Sequence, residues 1–248
     1  MKRFNIITLF PTCFPGNLGV SLINKAVSKL YNLNIIDLKK YAHNYRVDDR
    51  PFGGEEGMLI QADILENTLL SNSLHSANNH IVYLSPRGKI FNQQMAYDLS
   101  HKEEITFICG RYEGIDNRFL EKYNVQEISI GDFILCGGEV AAMVVLETII
   151  RLLPTCIKNA KSLEHESFSS ILLEHDQYTR PLEWSNMKVP SILLSGDHKK
   201  IQSWKFLNSF EITENRRPDL IFKFKFYFIL FLLIFSNSFN KKLFNKII

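Results

Sequence analysis

The chain has 248 residues, of which 46% are hydrophobic, 22% charged and 12% aromatic, with a formal net charge of +3. This profile excludes disordered, collagen-like and coiled-coil classes and leaves room for a main domain with a smaller companion. Five lysines and no acids follow Asp219, leaving the first 219 residues at about −2; a globally basic nucleic-acid binder is excluded, and any RNA contact must come from local patches.

At the amino end, Lys2 and Arg3 precede the short apolar run Phe4–Phe10, which contains Asn5 and stops at Pro11. No small-residue cleavage site follows, so the run reads as a first buried strand rather than a signal peptide. Further strands are expected at Leu33–Ile36, Ile81–Leu84, Ile105–Cys109 and Glu127–Ile130, all rich in Ile, Val and Phe. Between them Val20–Leu30, Ala62–Leu70, Gln93–Leu99 and Asp116–Tyr123 space their apolar residues by three and four, and Ala141–Leu153 is apolar almost all round. Strands alternating with helices predict an α/β fold, a parallel sheet covered on both faces. Two long aperiodic stretches, Tyr41–Gly57 and Thr155–Ser170, interrupt the scheme. Beyond Tyr178 the pattern turns helical: Asp197 is an N-cap for His198–Asn208, and Thr213 begins a short segment ending near Pro218.

The last 30 residues hold eight of the nineteen phenylalanines, with the uninterrupted apolar run confined to Phe226–Phe235. A spanning helix needs about 20 apolar residues, so association with a membrane is disfavoured. Packing against the body or a partner chain, and a terminus without a selected role, both stay open. The four cysteines, Cys13, Cys109, Cys136 and Cys156, stand far apart with no C-x-x-C pair. They suit a reducing, cytoplasmic setting and argue against a zinc ribbon or a disulfide scaffold; no metal-ligand spacing is visible.

Several signatures are missing: G-x-G-x-x-G after a strand, the P-loop, H-E-x-x-H and G-x-S-x-G. Rossmann, P-loop, zincin and common hydrolase readings go with them. Glycine usage says more. YLSPRG (83–88), ICGRYEG (108–114) and SIGDFILCGGE (129–139) each place glycines at the carboxyl end of a strand, where ligands of open α/β sheets sit. Glycine lets main-chain groups approach a ligand closely, so three such loops together would suit the edge of an adenine.

The ordered set DDRPFGGEEGM, YLSPRG, ICGRYEGID, SIGDFILCGGE, YTRP and LLSGDH, from Phe4 to about Leu220, resembles the bacterial tRNA (guanine-N1)-methyltransferase (TrmD) family, of the SPOUT class of S-adenosyl-L-methionine-dependent RNA methyltransferases. The resemblance implies a trefoil-knotted sheet domain, a homodimer with the active site at the subunit interface, tRNA contacting both chains, and methylation of N1 of guanosine 37, next to the anticodon. It implies a donor pocket made of Tyr83, Leu84, Ser85 and Pro86 from the first loop, and Gly110, Tyr112, Glu113 and Gly114 from the second. The third loop would add Ile130, Gly131, Asp132, Phe133, Ile134, Leu135, Gly137 and Gly138. Magnesium (Mg2+) is a further family-implied cofactor.

Chemistry sets the other roles. Guanine N1 carries a proton and is a poor nucleophile, so a carboxylate base and a cation near O6 are required. Motif matching places these at Glu166, in HESF, and at Arg151. The family usually has Asp at the first of these; Glu keeps the carboxylate and adds a methylene. RNA contacts are expected from Arg180, Lys199, Lys200, Lys205, Arg216 and Arg217, with Trp184 and Trp204 nearby, and further ones from His43, Arg46 and Arg50. Other departures are GGEEG at 53–57, Phe133 for a usual Tyr, Ala141 for a proline, and Asp176-Gln177 for a Pro-His pair. They motivate the alternative of a tRNA-binding protein with reduced or lost turnover. The expected organisation is a methyltransferase domain over 1–157, a flexible linker over 158–175, a helical tRNA-binding domain over 176–219 and an atypical tail over 220–248.

Overall fold

A computed structural model describes residues 1–157 and 166–235, with backbone only for the last four of these. The linker positions 158–165 and the tail positions 236–248 lie outside the described residues. The chain divides into two compact units, Met1–Lys158 and Asn159–Ile248.

The first unit is built on five parallel strands: β1 (Lys2–Thr8), β2 (Tyr31–Asp37), β5 (Asn79–Ile90), β6 (Glu104–Cys109) and β7 (Gln126–Ser129), in the order β2-β1-β6-β5-β7. Two-residue strands β3 (Asp48–Asp49) and β4 (Leu59–Ile60) pair antiparallel beside it, the only regular pairing in the long loop after Tyr41 among the described residues. The strand residues alternate between two cores. Phe4, Ile6, Val82, Leu84, Ile105 and Phe107 enter one; Ile7, Ile36, Ile81, Tyr83 and Ile108 enter the other. Period-two alternation with both sets apolar demands helices on both faces. The first core takes α1 (Ser21–Ala26), α3 (Gln93–Ser100) and α5 (Glu139–Arg151); the second takes α2 (Ala62–Ser71) and α4 (Asn117–Lys122).

The α/β reading holds, with corrections of detail. α1 is shorter than the periodicity predicts, because Val27 leaves helical geometry at ψ 141°. The expected strand Ile81–Leu84 continues to Ile90 after a four-residue excursion. Leu84 and Lys89 both lie opposite Ile128, so Ser85–Gly88 loops out of the ladder and then rejoins it.

Among its described residues the second unit holds a hairpin, β8 (Glu183–Trp184) with β9 (Met187–Lys188), and two α-helices, α6 (His198–Arg216) and α7 (Pro218–Phe235). Asp197 caps α6 as expected, accepting from the Lys200 amide at 3.2 Å. The expected break at Thr213 is wrong: Thr213 is fully buried inside α6, and Pro218 starts a helix instead of ending one. Proline is favoured in the first helical turn, where its missing N–H has no partner to lose.

Candidate active site

The three glycine-bearing loops meet at the carboxyl edge of β5, β6 and β7. The chain crosses from one side of β5 to the other between β6 and β7, the kind of reversal where open sheets bind ligands. A cavity of about 310 Å³ opens there, at the lower end of the size of small-molecule sites. All but one of the residues expected to hold the donor line it; Asp132 is exposed and does not. Arg87, Arg111, Ser129, Cys136 and Ala141 also line it. The glycine signal found the loops; it carried no information about which neighbouring side chains would turn inward.

Main chain runs against main chain at the back of this cavity. A Cβ on Gly138 would stand 2.8 Å from Cys109 Cα, and the Gly138 amide donates to the Gly110 carbonyl at 3.0 Å. A Cβ on Gly110 would meet the Tyr83 ring at 2.7 Å. Only glycine permits either approach. Tyr112 turns the second loop with φ 57°, and the Glu113 amide donates to the Met58 carbonyl at 3.0 Å. The divergent loop 53–57 also leans here: a Cβ on Gly57 would lie 2.4 Å from Glu113 Cγ.

A buried ionic group supports the floor. Glu139 opens α5, where a carboxylate faces the positive end of the helix dipole, and is 3% exposed. It accepts from Thr8 Oγ1 at 2.8 Å and pairs with Arg111 at 3.2 Å. Arg111 in turn donates to the Cys136 carbonyl at 3.0 Å and stacks over the Phe10 ring at 4.3 Å. This ties the third loop to β1 and β6. Burial, with the Glu139 charge beside it, pushes the Cys109 thiol well up, so it stays a neutral packing group. Burial likewise raises the Tyr83 phenol to about 12.

The remaining expected residues lie elsewhere. Arg151 is the last residue of α5, half-buried, and is not part of the cavity wall. Glu166 lies in the second unit, half-buried, its carbonyl accepting from the Ser169 amide at 3.2 Å and hydroxyl at 2.6 Å. The segment after it is strapped to α6. The Leu173 amide donates to Thr213 Oγ1 at 2.9 Å, its carbonyl accepts from Ser209 Oγ, and the Asp176 amide donates to Asn208 Oδ1 at 2.7 Å. Leu173 and Asp176 are thus tied to α6.

Of the expected RNA contacts, Arg180, Lys199, Lys200, Arg216 and Arg217 are exposed and Lys205 is half-buried. Lys200 pairs with Asp197 at 3.3 Å, and Arg217 is held by both carboxylate oxygens of Asp219 at 2.8 and 2.7 Å. Trp204 sits between His175 and Tyr178, ring centroids 6.3 and 6.2 Å away, while Trp184 is 66% exposed on the hairpin. His43 and Arg46 border one shallow depression and Arg50 another, both away from the glycine loops. Among the described residues no group of three or more His, Cys, Asp or Glu could hold a metal ion.

Residues 1–223 match the family model described as tRNA (Guanine-1)-methyltransferase TrmD. Similar relatives carry the name tRNA (guanine-N(1)-)-methyltransferase. That of Ehrlichia ruminantium (strain Gardel) is 47% identical over 220 residues, covering 87% of this chain and 94% of the relative. Those of Neorickettsia sennetsu and Pelagibacter ubique are 44% identical over 221 residues and 46% over 228, covering 88% and 91% of this chain and 98% and 99% of theirs.

Proposed function

The chain belongs to the tRNA (guanine-1)-methyltransferase TrmD family, and from that premise we propose that it transfers a methyl group from S-adenosyl-L-methionine to N1 of guanosine 37 in tRNA. The observation that carries the reading is the single cavity built by three main-chain loops whose glycines admit no side chain. Its backbone groups suit an adenine edge, and a Cβ on Gly110 or Gly138 would collide with the Tyr83 ring or the Cys109 backbone that shape it. Tyr83, Leu84, Ser85, Pro86 and the loops at 110–114 and 130–138 would hold the donor. When bound, the donor supplies an electrophilic methyl on a sulfonium sulfur and leaves as a neutral thioether.

This chain's own residues must then prepare the guanine. Glu166 takes the N1 proton as the N1–C bond forms, for a factor of roughly 10²–10⁴. Arg151 offsets the negative charge that moves to O6 as that proton leaves. Holding both substrates in line supplies the proximity term. The cations Arg180, Lys199, Lys205 and Arg216 neutralise tRNA phosphates, and Trp184 offers an exposed ring for stacking. A homodimer with the site at the subunit interface is supported by the exposed apolar side chains Phe133, Ile134, Val140 and Val144 beside the cavity. Relatives named as methyltransferases at 44–47% identity do not favour the alternative of a binding protein without turnover.

The test is methyl transfer from labelled S-adenosyl-L-methionine to an in-vitro tRNA transcript with guanosine at position 37, beside an adenosine-37 control. Label in the guanosine transcript alone, mapped to N1, is the expected result. Label in both transcripts, or in neither while donor and tRNA still bind, overturns the reading.

A further inference from the structure

Helix α7 carries two apolar stripes, and among the described residues only one of them is packed against α6. Ile221, Phe224 and Phe228, spaced by three and four, form the first. Phe224 packs on Phe206 and Phe210 of α6 with centroids 6.4 and 6.3 Å apart and stacks on Phe228 at 6.3 Å; Ile221 is 5% exposed. The second stripe, Phe222, Phe226, Ile229 and Leu230, is turned away, with exposures of 77%, 58%, 53% and 41%. A contiguous exposed apolar surface of this kind marks an interaction face. At about 100° per residue, Lys223 and Lys225 fall on the two flanks of this outward stripe. Lys225 lies over Phe210 and reaches Glu214 at 3.8 Å.

Charge narrows the choice of partner. After Asp219 every charged side chain is a lysine, two on α7 and three in the 13 residues beyond Phe235. A second copy of α7 would bring like charges together along the seam. An anionic bilayer meets both requirements: lysines face the phosphates and the Phe, Ile and Leu side chains enter the acyl boundary. Length also fits a helix lying in the surface, since 18 residues span about 27 Å. Among the described residues no helix is long and apolar enough to cross a membrane. The family match ends at residue 223, so Phe226, Ile229 and Leu230 lie beyond it.

We propose that α7 docks the protein on anionic lipid surfaces, lying in the interface with Phe222, Phe226, Ile229 and Leu230 inserted and Lys223 and Lys225 at the headgroups. The full chain is tested by flotation with vesicles of phosphatidylglycerol and phosphatidylcholine, and with vesicles of phosphatidylcholine alone. The comparison variant is Phe226→Asp with Leu230→Asp, two exposed positions outside the family match. Methyl transfer and thermal melting report that the variant is folded. Flotation with the anionic vesicles that falls at least tenfold in the variant, in 0.5 M salt, and with neutral vesicles supports the proposal. No flotation, or flotation unchanged by the substitutions, overturns it. A concentration-dependent oligomer lost in the variant, without flotation, gives the face to a second copy and overturns it as well.

Discussion

Glu166 is proposed as the base only on its motif, since a glutamate in a polar loop is ordinarily a surface residue. Its proposed role has a direct consequence: Glu166→Gln is expected to lower kcat by a factor of roughly 10²–10⁴ with donor and tRNA affinities retained, read by single-turnover kinetics beside equilibrium binding. Full activity in the variant would move the base elsewhere. Gly110 makes the complementary case at the donor side. In Gly110→Ala the new Cβ stands 2.7 Å from the Tyr83 ring, which is only 7% exposed and packed in the second core. Ring and loop must separate, so donor affinity should fall about tenfold or more with about 1–3 kcal/mol of stability lost, measured by titration calorimetry and by melting. Arg111 and Glu139 escaped the sequence reading for a physical reason. Nothing along the chain shows that an arginine after a strand and a glutamate opening a buried helix will face each other.

Among the elements, β1, β5 and β6 were readable because each sends apolar residues into both cores, the pattern of a strand covered on both faces. The excursion at Ser85–Gly88 was not: the chain leaves and rejoins the same partner at Ile128, a matter of pairing rather than local propensity. The β8–β9 hairpin was missed too. Its turn residues Ser185 and Asn186 have φ 50° and 63°, the conformation of a type I′ turn, but Ser-Asn is a weaker signal than Asn-Gly. Thr213 misled because threonine is a poor mid-helix residue. In the structure its hydroxyl donates to the Ser209 carbonyl at 2.6 Å and accepts the Leu173 amide, so it fastens the segment after Glu166 to α6. Thr213→Val keeps the shape and leaves the Leu173 amide without that acceptor. The expected cost is about 1–3 kcal/mol, read as a lower melting temperature and faster amide exchange at 172–174. Unchanged exchange there would mean the strap is held elsewhere.

For the whole molecule, charge and protonation follow from which groups the fold buries. Tyr31 is completely buried and Tyr83 nearly so, and burial pushes both phenols from 10 to about 12. The folded state holds these protons where the unfolded chain releases them. Their contribution to stability is therefore complete below pH 10 and is lost as the pH rises from 10 to 12. Melting temperature should drop across that window, and Tyr83→Phe should flatten part of the drop; a parallel curve in the variant would deny the phenol that role. At the acid side, Arg118 holds the Asp116 carboxyl below its usual range, a contribution present at neutral pH and lost as the pH falls through that lowered value. The first unit closes a cavity around main chain, and the second carries the cations proposed for RNA.

By itself the sequence determined the α/β class, the alternation that makes the sheet two-sided, the cap at Asp197, and the three loops whose glycines mark a close approach. These are local properties, written in residue type and spacing within a few positions. Only the tertiary structure decided that the loops share one cavity, that Asp132 lies outside it, and that Thr8 and Glu139 hold Arg111 in its wall. It also decided that Thr213 joins rather than breaks α6, and that half of the apolar surface of α7 faces outward. Each depends on which distant segments the core brings into contact, and a one-dimensional pattern has no term for that.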